Sequence, residues 1–148
     1  MCWRVLVCVL SWSLASVAWS DDAPSGPPPS WSRYWYPVEV VRVVDGDTVD
    51  VRVDLGLEAF RLERIRLYGV NTPEPYGETR AAGLAAAEWL RDRLDCVEVL
   101  LETRRDDVDK YGRRLGTFWA VQPDGSAVNL NRGLIEAGHA APYFGGRR

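Results

Sequence analysis

The segment Val43-Val44-Asp45-Gly46-Asp47-Thr48-Val49 sets two carboxylates and a hydroxyl within four positions, between two valine-rich runs. Valine-rich flanks favour extended chain. Asp-Gly is the commonest hairpin signal, and the glycine allows a tight turn. The chain is therefore constrained here to two antiparallel strands, with Asp45 and Asp47 side by side at a rigid end. Adjacent carboxylates repel unless a cation lies between them. A plain hairpin turn is the alternative.

The rest of the chain extends that hairpin. Val38 to Val44 and Thr48 to Asp54 read as paired strands; Val49, Val51 and Val53 face one way, Asp50, Arg52 and Asp54 the other. Leu55-Gly56-Leu57 turns the chain, and Phe60 to Val70 is a third strand. Its apolar parity changes between Phe60/Leu62 and Ile65/Leu67, which predicts a bulge near Glu63 or Arg64. Thr79 to Leu94 is Ala-rich and free of Pro, so a helix is expected, with Leu84, Ala87, Leu90 and Leu94 buried and Trp89 at the edge. Cys96 to Glu102 and Leu115 to Val121 are further strands, followed by a turn at Pro123-Asp124-Gly125. Val128 to Ala137 is a short helix closed by Gly138.

A length of 148 residues, 47% hydrophobic and 26% charged, suits one soluble domain with a modest core. Residues 1–20 do not belong to it. Arg4 precedes the apolar run Val5 to Trp12, and Ser16-Val17-Ala18 and Ala18-Trp19-Ser20 both fit small-x-small cleavage. That is a secretory signal peptide, too short for a membrane span. The expected mature protein is secreted or periplasmic, monomeric, and without stable membrane association. Residues 21–36 form a leader, at first Pro-rich, extended and poorly ordered, and then an aromatic cluster (Trp31, Tyr34, Trp35, Tyr36) expected to pack on the edge of a domain over residues 37–148. With Cys2 and Cys8 gone, Cys96 has no disulfide partner and is expected buried and inert in its apolar run. Without Arg4 the chain carries 17 basic against 21 acidic residues, a net charge of −4. That opposes nucleic-acid encounter unless metal or local arginine clustering offsets it. Lys110 is the only lysine.

Two further stretches give the first its chemistry: Arg64-Ile65-Arg66-Leu67-Tyr68-Gly69-Val70-Asn71-Thr72-Pro73-Glu74, and Asp109-Lys110-Tyr111-Gly112-Arg113. Asp45 and Asp47 are hard oxygen ligands suited to calcium or magnesium. Arg66 and Arg113 can neutralise a phosphodiester, and Glu74 can accept a proton from water.

The three stretches, in this order, resemble the staphylococcal nuclease-like (thermonuclease, or micrococcal nuclease) family over roughly residues 38–144. The resemblance implies an α+β, mainly β fold: a five-stranded OB-type Greek-key barrel with two short helices. The chain lacks the long C-terminal helix of the larger members, and its Gly138-His139-Ala140 and Pro142-Tyr143 ending looks like the short bacterial and phage type. The resemblance implies a secreted, calcium-dependent endonuclease cutting DNA and RNA with little sequence preference and leaving 3′-phosphate ends. Asp45, Asp47, Asn71 and the carbonyl of Thr72 match its metal ligands, with Asn71 standing where the best-known members have aspartate. Arg66 matches the phosphate-gripping arginine, Glu74 the general base, and Arg113 the arginine that stabilises the transition state. The alternative is a catalytically weak OB-type domain that only binds nucleic acid.

Each residue also has a structural alternative. Asp45 and Asp47 can be turn formers, Arg66 a solvated partner of Glu63, Glu74 a helix cap, and Arg113 a partner of Asp109. Tyr111 and Tyr143 suit base stacking and core packing equally. Arg61, Arg64, Arg104, Arg105 and Arg114 read as general phosphate contacts or plain surface. His139, the only histidine, has no His or Cys company for a metal and reads as structural.

Overall fold

The computed structural model describes residues 33–109 and 111–144, the side chains of residue 33 and residues 104–107 apart. The expected signal peptide and the Pro-rich part of the leader, with Trp31, lie outside the described residues, as does Lys110.

The valine runs form what their alternation predicts. β1 (Arg33–Asp45) and β2 (Thr48–Asp54) are antiparallel, and β3 (Phe60–Leu67) pairs with β2. After β4 (Val70–Asn71) and a 3-10 turn at Gly77–Thr79 comes α1 (Arg80–Leu94). β5 (Glu98–Val108) and β6 (Arg114–Val121) form a second hairpin, followed by β7 (Ala127–Asn129), α2 (Leu130–Glu136) and β8 (Ala141–Pro142). The main sheet runs β3-β2-β1-β5-β6-β7, and β6 returns to pair in parallel with β3, Ile65 opposite Arg114 and Leu67 opposite Gly116. That seam closes a five-stranded OB-type barrel of β1, β2, β3, β5 and β6. β4 and β8 make a separate two-stranded ribbon. Val49, Val51, Ile65, Leu101 and Phe118 fill the barrel, and Leu90, Leu130 and Leu134 seal it from the two helices.

Several expectations are corrected. The β2–β3 register is continuous, so Glu63 and Arg64 form no bulge; Phe60 and Leu62 simply lie exposed. The irregularities fall in β1, where Val41 and Val44 are the extra residues opposite β2. Both are exposed, so each bulge turns a surplus valine outward and keeps the following residues in phase. β1 starts at Arg33, so Tyr34, Trp35 and Tyr36 lie within the strand, paired with β5, and not in a leader ahead of it. Trp35 rests on Trp119 with ring centroids 5.6 Å apart.

Helix α1 buries Gly83, Ala86, Ala87, Leu90 and Leu94, while Leu84 faces solvent. The buried stripe begins with small residues because the helix backbone lies against the chain beneath it. A Cβ at Gly83 would come within 2.6 Å of the Glu74 carbonyl. Helix α2 starts at Leu130, two residues later than expected, because the Asn129 side chain accepts from the Arg132 N–H and caps it there. Val128 pairs with Ala120 in β7 instead. Gly138 ends this helix in the left-handed conformation, as expected. Cys96 is exposed in a positive-φ turn, not buried. Its thiol donates to the Asp95 carboxylate, which raises its pKa and disfavours the reactive thiolate.

Candidate active site

The β1–β2 turn is held from beneath. A Cβ on Gly46 would meet the Ala86 and Thr72 side chains at 2.7 and 2.9 Å. Its φ is not positive, so the glycine is needed for close packing and not for a left-handed turn. Helix α1 and the segment after β4 thus press on the glycine between the two aspartates. The Asp47 N–H donates to Asp45 Oδ1 at 3.0 Å, which sets the two carboxylates next to one another. Burial, and then the neighbouring Asp47 charge, raise the Asp45 pKa.

Asp47 is buried and fully engaged. Oδ1 accepts from Arg66 Nη1 at 2.5 Å and from the Thr48 hydroxyl at 3.1 Å; Oδ2 accepts from the Thr72 N–H at 3.4 Å. Arg66 is buried too, and its Nη2 donates to the Val70 carbonyl at 3.3 Å. It is no partner of Glu63, which pairs with Arg61 and, at 3.8 Å, Arg114. The barrel seam brings in the β5–β6 turn. There Asp109 Oδ1 accepts from the backbone N–H groups of Tyr111 and Arg113, both at 2.9 Å, and Oδ2 from Arg113 Nε at 2.7 Å. Burial alone would raise the Asp109 pKa, but these hydrogen bonds and the Arg113 charge outweigh it and hold it below the usual carboxylate value. The Asp109–Arg113 pairing foreseen as a structural alternative therefore exists, and it fixes the guanidinium at the site. Its carbon lies 5.4 Å from the Tyr111 ring centroid.

These groups line one cleft of about 410 Å³: Asp45, Asp47, Arg66, Thr72, Glu74, Tyr111 and Arg113, with Pro73, Pro75 and Tyr76. Glu74 reaches it from the loop pinned by Gly83 and by the Thr79 hydroxyl on the Glu74 carbonyl. Thr79 stands at the N-cap of helix α1 and makes no side-chain capping bond. Two named residues do not line the cleft. Tyr143 sits beside β8, its N–H donating to the Gly69 carbonyl. Asn71 lies in β4, opposite Ala141. Exposed Tyr76 is a cleft residue that sequence reasoning missed; it stands two positions after Glu74, and only that proximity could have flagged it.

The two cleft carboxylates, Asp45 and Asp47, are hard oxygen donors of the kind a calcium or magnesium ion takes, and Thr72 lines the cleft beside them. Asn71 Oδ1, outside that lining, is buried with no hydrogen-bond partner. Among the described residues no group of three or more His, Cys, Asp or Glu is placed to hold a metal. An ion here would thus rely on neutral oxygens besides the two carboxylates. Burial first, and the Asp47 charge second, disfavour the ionised Asp45, and a positive charge placed here would favour it.

A small OB-type barrel with two arginines and three carboxylates converging at one end is the class that fold and site define. The chain belongs to the staphylococcal nuclease family: residues 64–147 match the family described as Staphylococcal nuclease homologue. It is 36% identical over 117 residues to Protein ParB of Escherichia coli, covering 74% of this chain and 59% of that protein. It is 41% identical over 83 residues to the thermonuclease of Staphylococcus intermedius (54% and 46%), and 34% identical over 119 residues to the micrococcal nuclease of Shigella flexneri (78% and 62%). The chain thus spans about half to three-fifths of the length of these relatives.

Proposed function

We propose that the protein is a metal-dependent endonuclease that hydrolyses DNA and RNA with little sequence preference and leaves 3′-phosphate ends. The observation that carries this reading is the convergence of Arg66, Arg113 and Glu74 with Asp45, Asp47 and Thr72 in one cleft. Arg66 and Arg113 bind non-bridging oxygens of the phosphodiester and offset the charge that repels a nucleophile. Both are pre-aimed by aspartates, Asp47 and Asp109, which keeps the guanidinium planes fixed before substrate arrives. Glu74 accepts the proton of the attacking water. Calcium, or magnesium, held by Asp45, Asp47, Asn71 and the Thr72 carbonyl, would supply additional charge stabilisation at the phosphate. Support for secretion to the periplasm or outside the cell comes from residues 1–20, and we propose a monomer without membrane association.

The test incubates the full chain with single-stranded DNA in calcium, then in chelator. Calcium-dependent cleavage is expected, with Glu74→Gln lowering the rate by about 10²–10⁴-fold. Because calcium affinity rises with ligand charge, Asn71→Asp should lower the calcium concentration for half-maximal cleavage. A second reading, binding without cleavage, is favoured by the neutral Asn71. Tight, salt-sensitive binding with no cleavage at any calcium concentration would establish it and remove the nuclease reading.

A further inference from the structure

The outer face of β1–β2–β3 begins at the cleft and leads away from it. Along β3, Arg66, Arg64, Leu62 and Phe60 lie opposite Thr48, Asp50, Arg52 and Asp54 of β2. The other face of β2 is the buried valine row. Arg64 is thus one outward position beyond Arg66, about 7 Å along the strand. Asp50 sits between two arginines. It accepts from Arg64 Nε at 2.6 Å and Nη2 at 2.9 Å, and from Arg42 Nη2 on β1 at 2.9 Å.

One carboxylate between two guanidiniums leaves the trio with a net positive charge. Asp50 stays ionised through the neutral range, since the Arg64 hydrogen bonds outweigh burial and pull its pKa to about 2. Arg42 and Arg64 side chains are 62% and 50% exposed. Arg42 uses one and Arg64 two donors on Asp50, so most of the five N–H groups on each remain for a ligand. Asp50 also holds both side chains in place, which lowers the ordering cost of binding. The next outward row carries exposed Leu62 and Phe60, with the Arg52 guanidinium 4.5 Å above the Phe60 ring and anchored to Glu39. Cationic groups nearest the cleft, followed by a stacked Arg–Phe pair, match a phosphate followed by its sugar and base.

We propose that this face is a run-in surface for the nucleic-acid strand, with Arg42 and Arg64 binding the phosphate next to the one in the cleft. It rests on the reading of the cleft as a phosphodiester site. The positive charge is local to the Arg42–Asp50–Arg64 trio beside the cleft; farther along the face Arg52 is offset by Glu39.

The test measures binding of a labelled oligothymidylate to the full chain in chelator, across a range of salt concentrations, by fluorescence anisotropy. The Arg42→Ala/Arg64→Ala double variant should bind about tenfold more weakly at low salt, with a log–log salt slope shallower by about 1.4, two contacts at about 0.7 each. Arg42→Lys/Arg64→Lys should restore most of the slope. A thymidine dinucleotide, too short to reach Arg64, should lose less than twofold in affinity. Arg132→Ala, on α2 and paired with Glu136, should leave the slope unchanged. An unaltered slope in the double variant, or an equal loss in Arg132→Ala, would overturn the proposal. Since nothing here depends on turnover, a chain that binds with these slopes but never cleaves DNA counts against the nuclease reading alone.

Discussion

Two Arg–Asp pairs join β2 and its flanks to β3, two residues apart, and they are chemically alike. Arg66–Asp47, at the cleft end, has side chains only 9% and 8% exposed; Arg64–Asp50, one step outward, has 50% and 22%. The first is buried at the base of the cleft, with its aspartate shared by Thr48 and Thr72. The second is open to solvent and salt. Their difference separates a pair whose partners the fold cannot spare from one that can be broken at little cost. A buried pair is a structural commitment, because either charge alone would be stranded. An exposed pair costs little to break, so its arginine is available to a phosphate.

The comparison can be sharpened by a graded series. Arg66→Ala should have the largest effect, destabilising the fold by about 3–5 kcal/mol because Asp47 is left buried and unpaired. Urea titration reads that, and cleavage should be abolished as well. Arg113–Asp109 lies between the extremes, with side chains 27% and 13% exposed. Asp109→Asn should cost about 1.5 kcal/mol, the scale of hydrogen bonds to a charged group. Because the folded Asp109 pKa is depressed, that contribution is present above the unfolded value of 3.8 and fades as pH falls through the folded one. Stability measured from pH 6 downward should show wild type and Asp109→Asn converging. Asp50→Asn should be smallest, about 0.5 kcal/mol or less after solvent screening. Its contribution is full above pH 3.8 and disappears toward pH 2, the folded value being about 2. A cost for Asp50→Asn equal to that of Arg66→Ala would break the argument from burial.

The barrel strands and most of the cleft were legible in the sequence because their signals are local. Alternating valines announce β2, Asp-Gly-Asp announces the turn, and the family motifs carry Arg66, Glu74 and Arg113. What escaped depends on distant packing. Val41 and Val44 lie in an unbroken apolar run, where period alone cannot say which valine is surplus. Leu84 looked like core, but Gly83 and Ala86 win the buried face because the loop beneath needs their smallness. Asn131 gave no signal at all. Buried in α2, it accepts from the Phe118 N–H at 3.0 Å and donates to the carbonyls of Tyr68 and Gly116 at 2.9 and 3.0 Å, tying three segments with one amide.

The parallel seam between β3 and β6 has a consequence in time. Hairpins such as β1–β2 and β5–β6 join near neighbours in the chain, and such contacts form readily; the seam joins strands far apart and must wait for both. Arg66 lies on one side of it and Arg113 at the start of the other. Until the seam closes, each half of the chain holds one of the two cleft arginines, and a phosphate would meet one grip without its counterpart. Completing the barrel and assembling the site are one event, so a partly folded chain holds no working cleft.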